Sequence, residues 1–184
     1  MSAVVAPGGA PHEHEFEAAH GLPEALPANE HLLWQGRPDP VLFARRVFHM
    51  DVLLVYFGAL MAWRALGSRY DGADWGAALL GTVTILPLAV LALGLLAATA
   101  WFMATSTVYT ITDRRVVMRV GVVLSVTFNL PFARIAAANL RRRADGSGDI
   151  ALTLHADDRI GYGHLWPHVR PWLLRNPQPM LRGL

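Results

Sequence analysis

His155, Asp157, Asp158 and His164 are the side chains whose types and spacing could do chemistry. Two imidazoles and two carboxylates so close together would suit a divalent metal or acid–base catalysis. Their setting argues for a turn instead. The Asp-Asp pair follows an alternating apolar stretch, where acidic side chains commonly hydrogen-bond nearby backbone. A second titratable group, His12, His14 and His20 among Glu13, Glu15 and Glu17, lies in an arm rich in Ala, Pro and Gly. It has no second ligand pair at helical spacing, so no metal is assigned there. His49 would have to be the axial ligand of a pigment carrier, but it stands at the start of an apolar run and reads as an interfacial polar residue. P-loop, dinucleotide and H-E-x-x-H patterns are absent. The chain has no cysteine, and all 16 of its basic residues are arginine. Disulfides, thiolate metal sites, cysteine nucleophiles and lysine Schiff bases are therefore excluded. No catalytic, cofactor-binding or metal residue is assigned, and the sequence reads as a non-enzyme.

Binding is what remains. Arg141, Arg142 and Arg143 form a basic run suited to anionic lipid headgroups or an acidic partner. Arg45, Arg46 and Asp51 flank an apolar run, and Asp51 is expected to pair with Arg45, with Arg46 or with a cation of a partner, because a lone charge there is costly. Trp166 and Trp172 offer amphipathic surface for protein or membrane. Nucleic acid is not expected, since no recognition motif is present.

The elements that must carry these residues are set by hydropathy. The 184 residues are 53% hydrophobic and only 16% charged, against about 25% charged in a soluble domain. Residues 76–104 contain no formal charge. At about 1.5 Å per residue this run is ~43 Å long, more than the ~30 Å of bilayer hydrocarbon. It predicts a transmembrane helix over 75–105, kinked at Pro87, which lacks a backbone donor. The run 47–66 predicts a first transmembrane helix, with Asp51 and Arg64 near its ends, and the loop 67–74 closes an antiparallel hairpin. Arginines crowd the flanks of the hairpin rather than its loop, so both termini are expected in the cytoplasm of a bacterial inner membrane. Small-xxx-small pairs, Gly58 with Ala62, Ala77 with Gly81, and Gly94 with Ala98, predict close helix association, with a second copy or with the helices of another protein.

Outside the hairpin, residues 1–28 read as a disordered arm and 29–46 as a juxtamembrane segment. After the second helix the period changes from helical to alternating. Residues 106–163 predict a small antiparallel β domain, a meander of about five strands. Residues 164–184, broken by prolines and carrying Trp166 and Trp172, predict an irregular tail.

Several stretches resemble a known family. Gly21-Leu22-Pro23-Glu24, Leu33-Trp34-Gln35-Gly36-Arg37-Pro38, Ala44-Arg45-Arg46 and Phe48-His49 are similar to the photosynthetic complex assembly proteins of purple bacteria, encoded beside the reaction-centre H-subunit gene. Tyr109-Thr110-Ile111-Thr112-Asp113-Arg114-Arg115-Val116 resembles the opening of a bacterial pleckstrin-homology-type membrane domain, and Pro177-Gln178-Pro179-Met180-Leu181-Arg182 the same family's close. Trp34, Gly36, Arg37 and Pro38 carry the most specific piece. The resemblance implies a PH-like cytoplasmic domain and a dimeric, cofactor-free factor that assembles the reaction centre and affects the core light-harvesting antenna secondarily. It also implies a continuation beyond Leu184. Two rivals stand beside it: a general membrane PH-like protein that binds anionic lipid or acts in membrane stress, and a membrane enzyme built on His155, Asp157, Asp158 or His164.

Overall fold

The computed structural model describes residues 22, 24, 26–122, 124–155 and 160–184. The arm with His12, His14 and His20 lies outside them, as do Asp157 and Asp158.

Strand β1 (Leu32–Gly36) is followed by helices α1 (Pro40–Val47), α2 (Met50–Tyr70), α3 (Trp75–Val83) and α4 (Leu86–Ser106). Strands β2 (Val108–Thr112), β3 (Arg115–Val120), β4 (Val126–Pro131), β5 (Ile135–Arg142) and β6 (Gly148–Leu154) come next, then a short α5 (Tyr162–Leu165) and β7 (Met180–Leu181). Two antiparallel sheets result, β1-β2-β3-β4 and β5-β6-β7. They share one core. Tyr109, Val116, Met118, Val120 and Leu130 from the first sheet meet Leu152 and Leu181 from the second.

The helical boundaries differ from the sequence expectation. The first long helix begins at Met50, because α1 ends at Val47 and the chain turns through His49 at φ 51°. It runs on through Tyr70, so the expected loop 67–74 shrinks to residues 71–74. Asp74 then caps α3 by accepting from the Ala77 amide at 2.9 Å. The run 75–106 breaks at Thr84 and Ile85, just before Pro87. The proline ring cannot tolerate the carbonyl four residues back, and it has no N–H to give. The hydroxyls of Thr82 and Thr84 return to the carbonyls of Leu79 and Gly81.

Two helical stretches, Met50–Tyr70 and Trp75–Ser106, are long and apolar enough to cross a membrane. Their most apolar windows are only 6% and 11% buried. A core helix of a soluble protein would be mostly covered, so these faces need lipid or a partner. The α1 helix is different. Its Phe43 is buried on Ala100 and Ala104 of α4, which lays a short amphipathic helix across the end of the apolar pair.

The juxtamembrane segment and the tail belong to the β domain. β1 pairs with β2, with Leu32 opposite Thr112 and Gly36 opposite Tyr109. The Glu30 carboxylate accepts from the Thr112 hydroxyl and from Arg115 Nε, both at 2.7 Å. The arginine bond, rather than burial, sets the direction of its pKa, which is lowered. Sequence periodicity missed this strand because Leu32, Leu33 and Trp34 are all exposed rather than alternating, and its ladder partner β2 is distant in sequence. In the tail, β7 pairs with β6. Leu184 exchanges both backbone hydrogen bonds with Gly148, at 3.0 and 2.8 Å. Prolines exclude a helix here but leave two short stretches free to pair.

Gly121 ends β3 at φ +121°, and a Cβ there would stand 2.1 Å from the Leu124 carbonyl oxygen. Gly121→Ala is expected to destabilise the fold by about 1–3 kcal/mol. A Cβ at Gly58 meets nothing within 4 Å, so Gly58→Ala should not destabilise it. Denaturation of the two variants in mild detergent checks this; equal stabilities would contradict the strained β3–β4 connection.

Candidate functional site

The side chains expected to bind come together where α1, β5, β6 and the tail meet. Arg45 and Arg46 lie in the last turn of α1, and Arg141 and Arg143 at the end of β5. Arg170 and Arg182 come from the tail. All six line one cleft of about 830 Å³, with His49, Trp166 and Trp172 also in its wall. Strand alternation divides the basic run. Arg141 and Arg143 line the cleft, whereas Arg142 does not.

Carboxylates hold part of this charge. Arg45 Nε lies 3.0 Å from an oxygen of Asp51, one of the pairings the sequence left open, and both side chains are exposed. Arg46 Nη2 bonds Asp145 at 2.6 Å and the Ser147 hydroxyl at 2.6 Å. Asp145 is kept ionised to lower pH than usual, first by its bonds from Ser147 and then by Arg46. Arg143 Nη2 lies 2.7 Å from the buried Asp149, whose other oxygen accepts from the Gly183 amide. Burial lowers the Arg182 pKa, and the neighbouring Asp149 opposes the shift. Three guanidinium nitrogens in these walls are buried without a partner among the described residues: Arg46 Nη1, Arg143 Nη1 and Arg182 Nε.

Beneath the cleft lies a buried polar relay that the sequence did not announce. The Arg182 amide donates to Tyr109 Oη at 3.3 Å. His168 Nδ1 is 2.6 Å from the same oxygen, and His168 Nε2 is 3.1 Å from Thr107 Oγ1. The Thr107 hydroxyl donates to the Met103 carbonyl. Only one proton order satisfies this chain. Tyr109 donates to Nδ1 and Nε2–H donates to Thr107, so the imidazole is neutral. Burial pushes the His168 pKa down to about 3 and that of Tyr109 up. Phe43 of α1 packs on the same imidazole, 5.4 Å between ring centroids.

The remaining sequence candidates lie elsewhere. His155 follows β6, and its amide donates to the Arg134 carbonyl. His164 sits on α5 beside a smaller pocket of about 240 Å³. No group of three potential ligands that could hold a metal occurs among the described residues. Gly58, Ala62, Ala77, Gly94 and Ala98 are exposed and Gly81 is half-buried, so the small-residue pairs face mostly outward. In the family motif, the Trp34 indole covers Gly36, where a Cβ would stand 2.4 Å from the ring. Pro38 is fully buried and Arg37 exposed. Arg170, Arg182, Asp149 and His168 were missed. Arg182 lies in the segment similar to the family's close, His168 and Arg170 in the tail expected to be irregular, and Asp149 in the last strand of the expected meander, where no local pattern marks a site.

Residues 75–176 match the bacterial PH domain family. The chain is 37% identical over 172 residues to an uncharacterized 23.7 kDa protein in the puhA 5' region of Rhodobacter capsulatus, covering 93% of this chain and 80% of that one. No solved structure matches significantly.

His168 should give the fold an acid limb. Its folded pKa of about 3 lies below the ordinary 6.5, so between those values the unfolded chain binds the extra proton. The contribution is complete above pH 6.5 and is lost as pH falls toward 3, by at most about 1.4 kcal/mol per pH unit. Unfolding midpoints measured from pH 7 to pH 4 should fall less steeply in His168→Gln than in the parent chain. Identical slopes would remove His168 as the acid-sensitive group.

Proposed function

The chain belongs to the bacterial PH domain family, and from that premise we propose that it is a non-enzymatic membrane factor for assembly of the photosynthetic reaction centre. The observation that carries this reading is the relative in the puhA 5' region, similar along 93% of this chain. The sequence resemblance is to assembly proteins encoded beside the reaction-centre H-subunit gene, which agrees with that location. The two long apolar helices support a place in the bacterial inner, intracytoplasmic membrane, with the β domain and both termini on the cytoplasmic side, where positive charge is retained.

The mode of action is binding. Faces of α2 and α4 left open by the fold dock against transmembrane helices of reaction-centre or core-antenna subunits, or of a second copy in a homodimer. Small residues at Gly58, Ala62, Gly94 and Ala98 permit close backbone approach. The β domain and its arginine cleft hold the assembly at the membrane surface. The helices offer no histidine within their apolar stretches to ligate a pigment, so the factor does not tune pigment itself. A binding factor stabilises an intermediate by differential affinity and then leaves, which changes yield rather than product.

Deletion of the gene is expected to lower the amount of assembled reaction centre without shifting the spectrum of the complexes that form. Quantified reaction centres and membrane absorption spectra of the deletion strain check this. Normal levels would contradict the assembly reading.

A further inference from the structure

Strand register places the connections of the first sheet at opposite ends. α4 ends at Ser106, and two residues later Val108 pairs with Arg119, so the end of β3 lies beside the end of the apolar helix. Val120 pairs with Val126, which puts the β3–β4 connection at that same end. The β2–β3 turn, Asp113 and Arg114, lies at the other end, about 20 Å away along β3. The far turn is charged, as a turn in water usually is. The near one carries Val122 and Leu124, 48% and 83% exposed. Gly121, where a Cβ would stand 2.1 Å from the Leu124 carbonyl oxygen, keeps the connection tight, and neither side chain is folded under the sheet.

The neighbours of this loop say what covers it. Val122 and Leu124 share a pocket wall with Met103 and Thr107 at the end of α4 and with Trp166. Trp101 and Phe102, on the last turns of α4, are exposed as well. Exposed apolar residues grouped in this way mark a surface that is covered in use. With α4 across the bilayer, this level is the membrane surface, where tryptophan settles, and the hydrocarbon that meets the open faces of α4 continues over Leu124. We propose that the β3–β4 connection inserts Val122 and Leu124 into the headgroup–acyl boundary of the bilayer, beside α4 and with Trp166 at its rim. Apolar side chains gain there by leaving water, and no charge on the lipid is required. This insertion rests on the membrane placement of the helices and is independent of the assembly role. The inserted loop is a further attachment that fixes which end of the β domain faces the membrane.

The chain has no cysteine, so a single introduced cysteine reports a single site. The full chain carrying Leu124→Cys, Arg114→Cys or Leu91→Cys would be labelled with an environment-sensitive fluorophore and reconstituted in phosphatidylcholine vesicles, with or without nitroxide-bearing lipid. All three side chains are exposed, so each variant should fold. The label at Leu124→Cys should lose most of its emission to a nitroxide placed near the headgroup. The label at Leu91→Cys, in the middle of the apolar run, should lose it to a nitroxide near the end of the acyl chain. The label at Arg114→Cys, on the far turn, should lose it to neither. If the Leu91→Cys label is quenched but the Leu124→Cys label is not, the insertion is overturned while the helices still span. Shielding of that unquenched Leu124→Cys label from aqueous iodide would then identify a second copy as its cover. Equal quenching at Leu124→Cys and Arg114→Cys would overturn the insertion too, since the whole domain would then lie on lipid. An unquenched Leu91→Cys label would overturn the membrane placement itself.

Discussion

The neutral imidazole of His168 is the constraint on which the rest of the structure depends. It is 1% exposed and has one donor and one acceptor to satisfy, and the fold satisfies both. Thr107 stands at the junction of α4 with β2, and Tyr109 lies within β2. Arg182 belongs to the tail, whose return past β6 positions β7. One ring therefore ties the end of the apolar helices to the first sheet and both to the tail. Phe43, packed on the same ring, adds α1. Protonating His168 would put a second donor against the Tyr109 hydroxyl, and among the described residues no carboxylate bonds the ring to compensate. Helices, sheets and tail are registered by a hydrogen-bond chain that works in only one charge state.

That registration builds the cleft. Arg45 and Arg46 are carried by α1, which Phe43 seats on α4. Arg170 and Arg182 are carried by the tail, held through Gly183 to Asp149 and to the Asp39 amide at the start of α1. The tail thus brings its own arginines to those of β5 and closes the wall against the helix. The two halves of the molecule present opposite surfaces. The β domain encloses its apolar residues and gathers arginine at one edge, while the long helices leave their apolar faces open. A bilayer offers hydrocarbon and anionic headgroups in that same order.

Much of this was legible along the chain. The long helices are visible because residues 76–104 carry no charge, and β2 and β3 because Val, Ile and Thr alternate around a two-residue turn. That Asp51 needs a cation followed from the cost of an isolated charge near an apolar helix, while the choice of Arg45 came from the fold. What was not legible depends on partners distant in sequence. β1 is a strand because it pairs with β2, with Glu30 and Gln35 reaching Thr112, Arg115 and Thr110 beside it, none of which a local period can report. The turn at His49, with φ positive at a residue other than glycine, joins α2 to an α1 that packs on α4, a contact distant in sequence. The cleft joins Arg46 to Asp145 across 99 positions, so the basic run and the paired arginines looked like separate surfaces. One part was available but unused: in a strand, three consecutive arginines cannot share a face, which separates Arg142 from its neighbours.

The central claim, that this chain binds reaction-centre subunits while they are being assembled, is tested most directly by affinity purification. The tagged full chain would be drawn from photosynthetic membranes in mild detergent, with the co-purifying polypeptides identified and an absorption spectrum recorded. The account predicts reaction-centre polypeptides with the chain, and pigment absorbance only in proportion to them. Recovery of the chain with lipid and its own copies alone, from membranes actively making reaction centres, would contradict it.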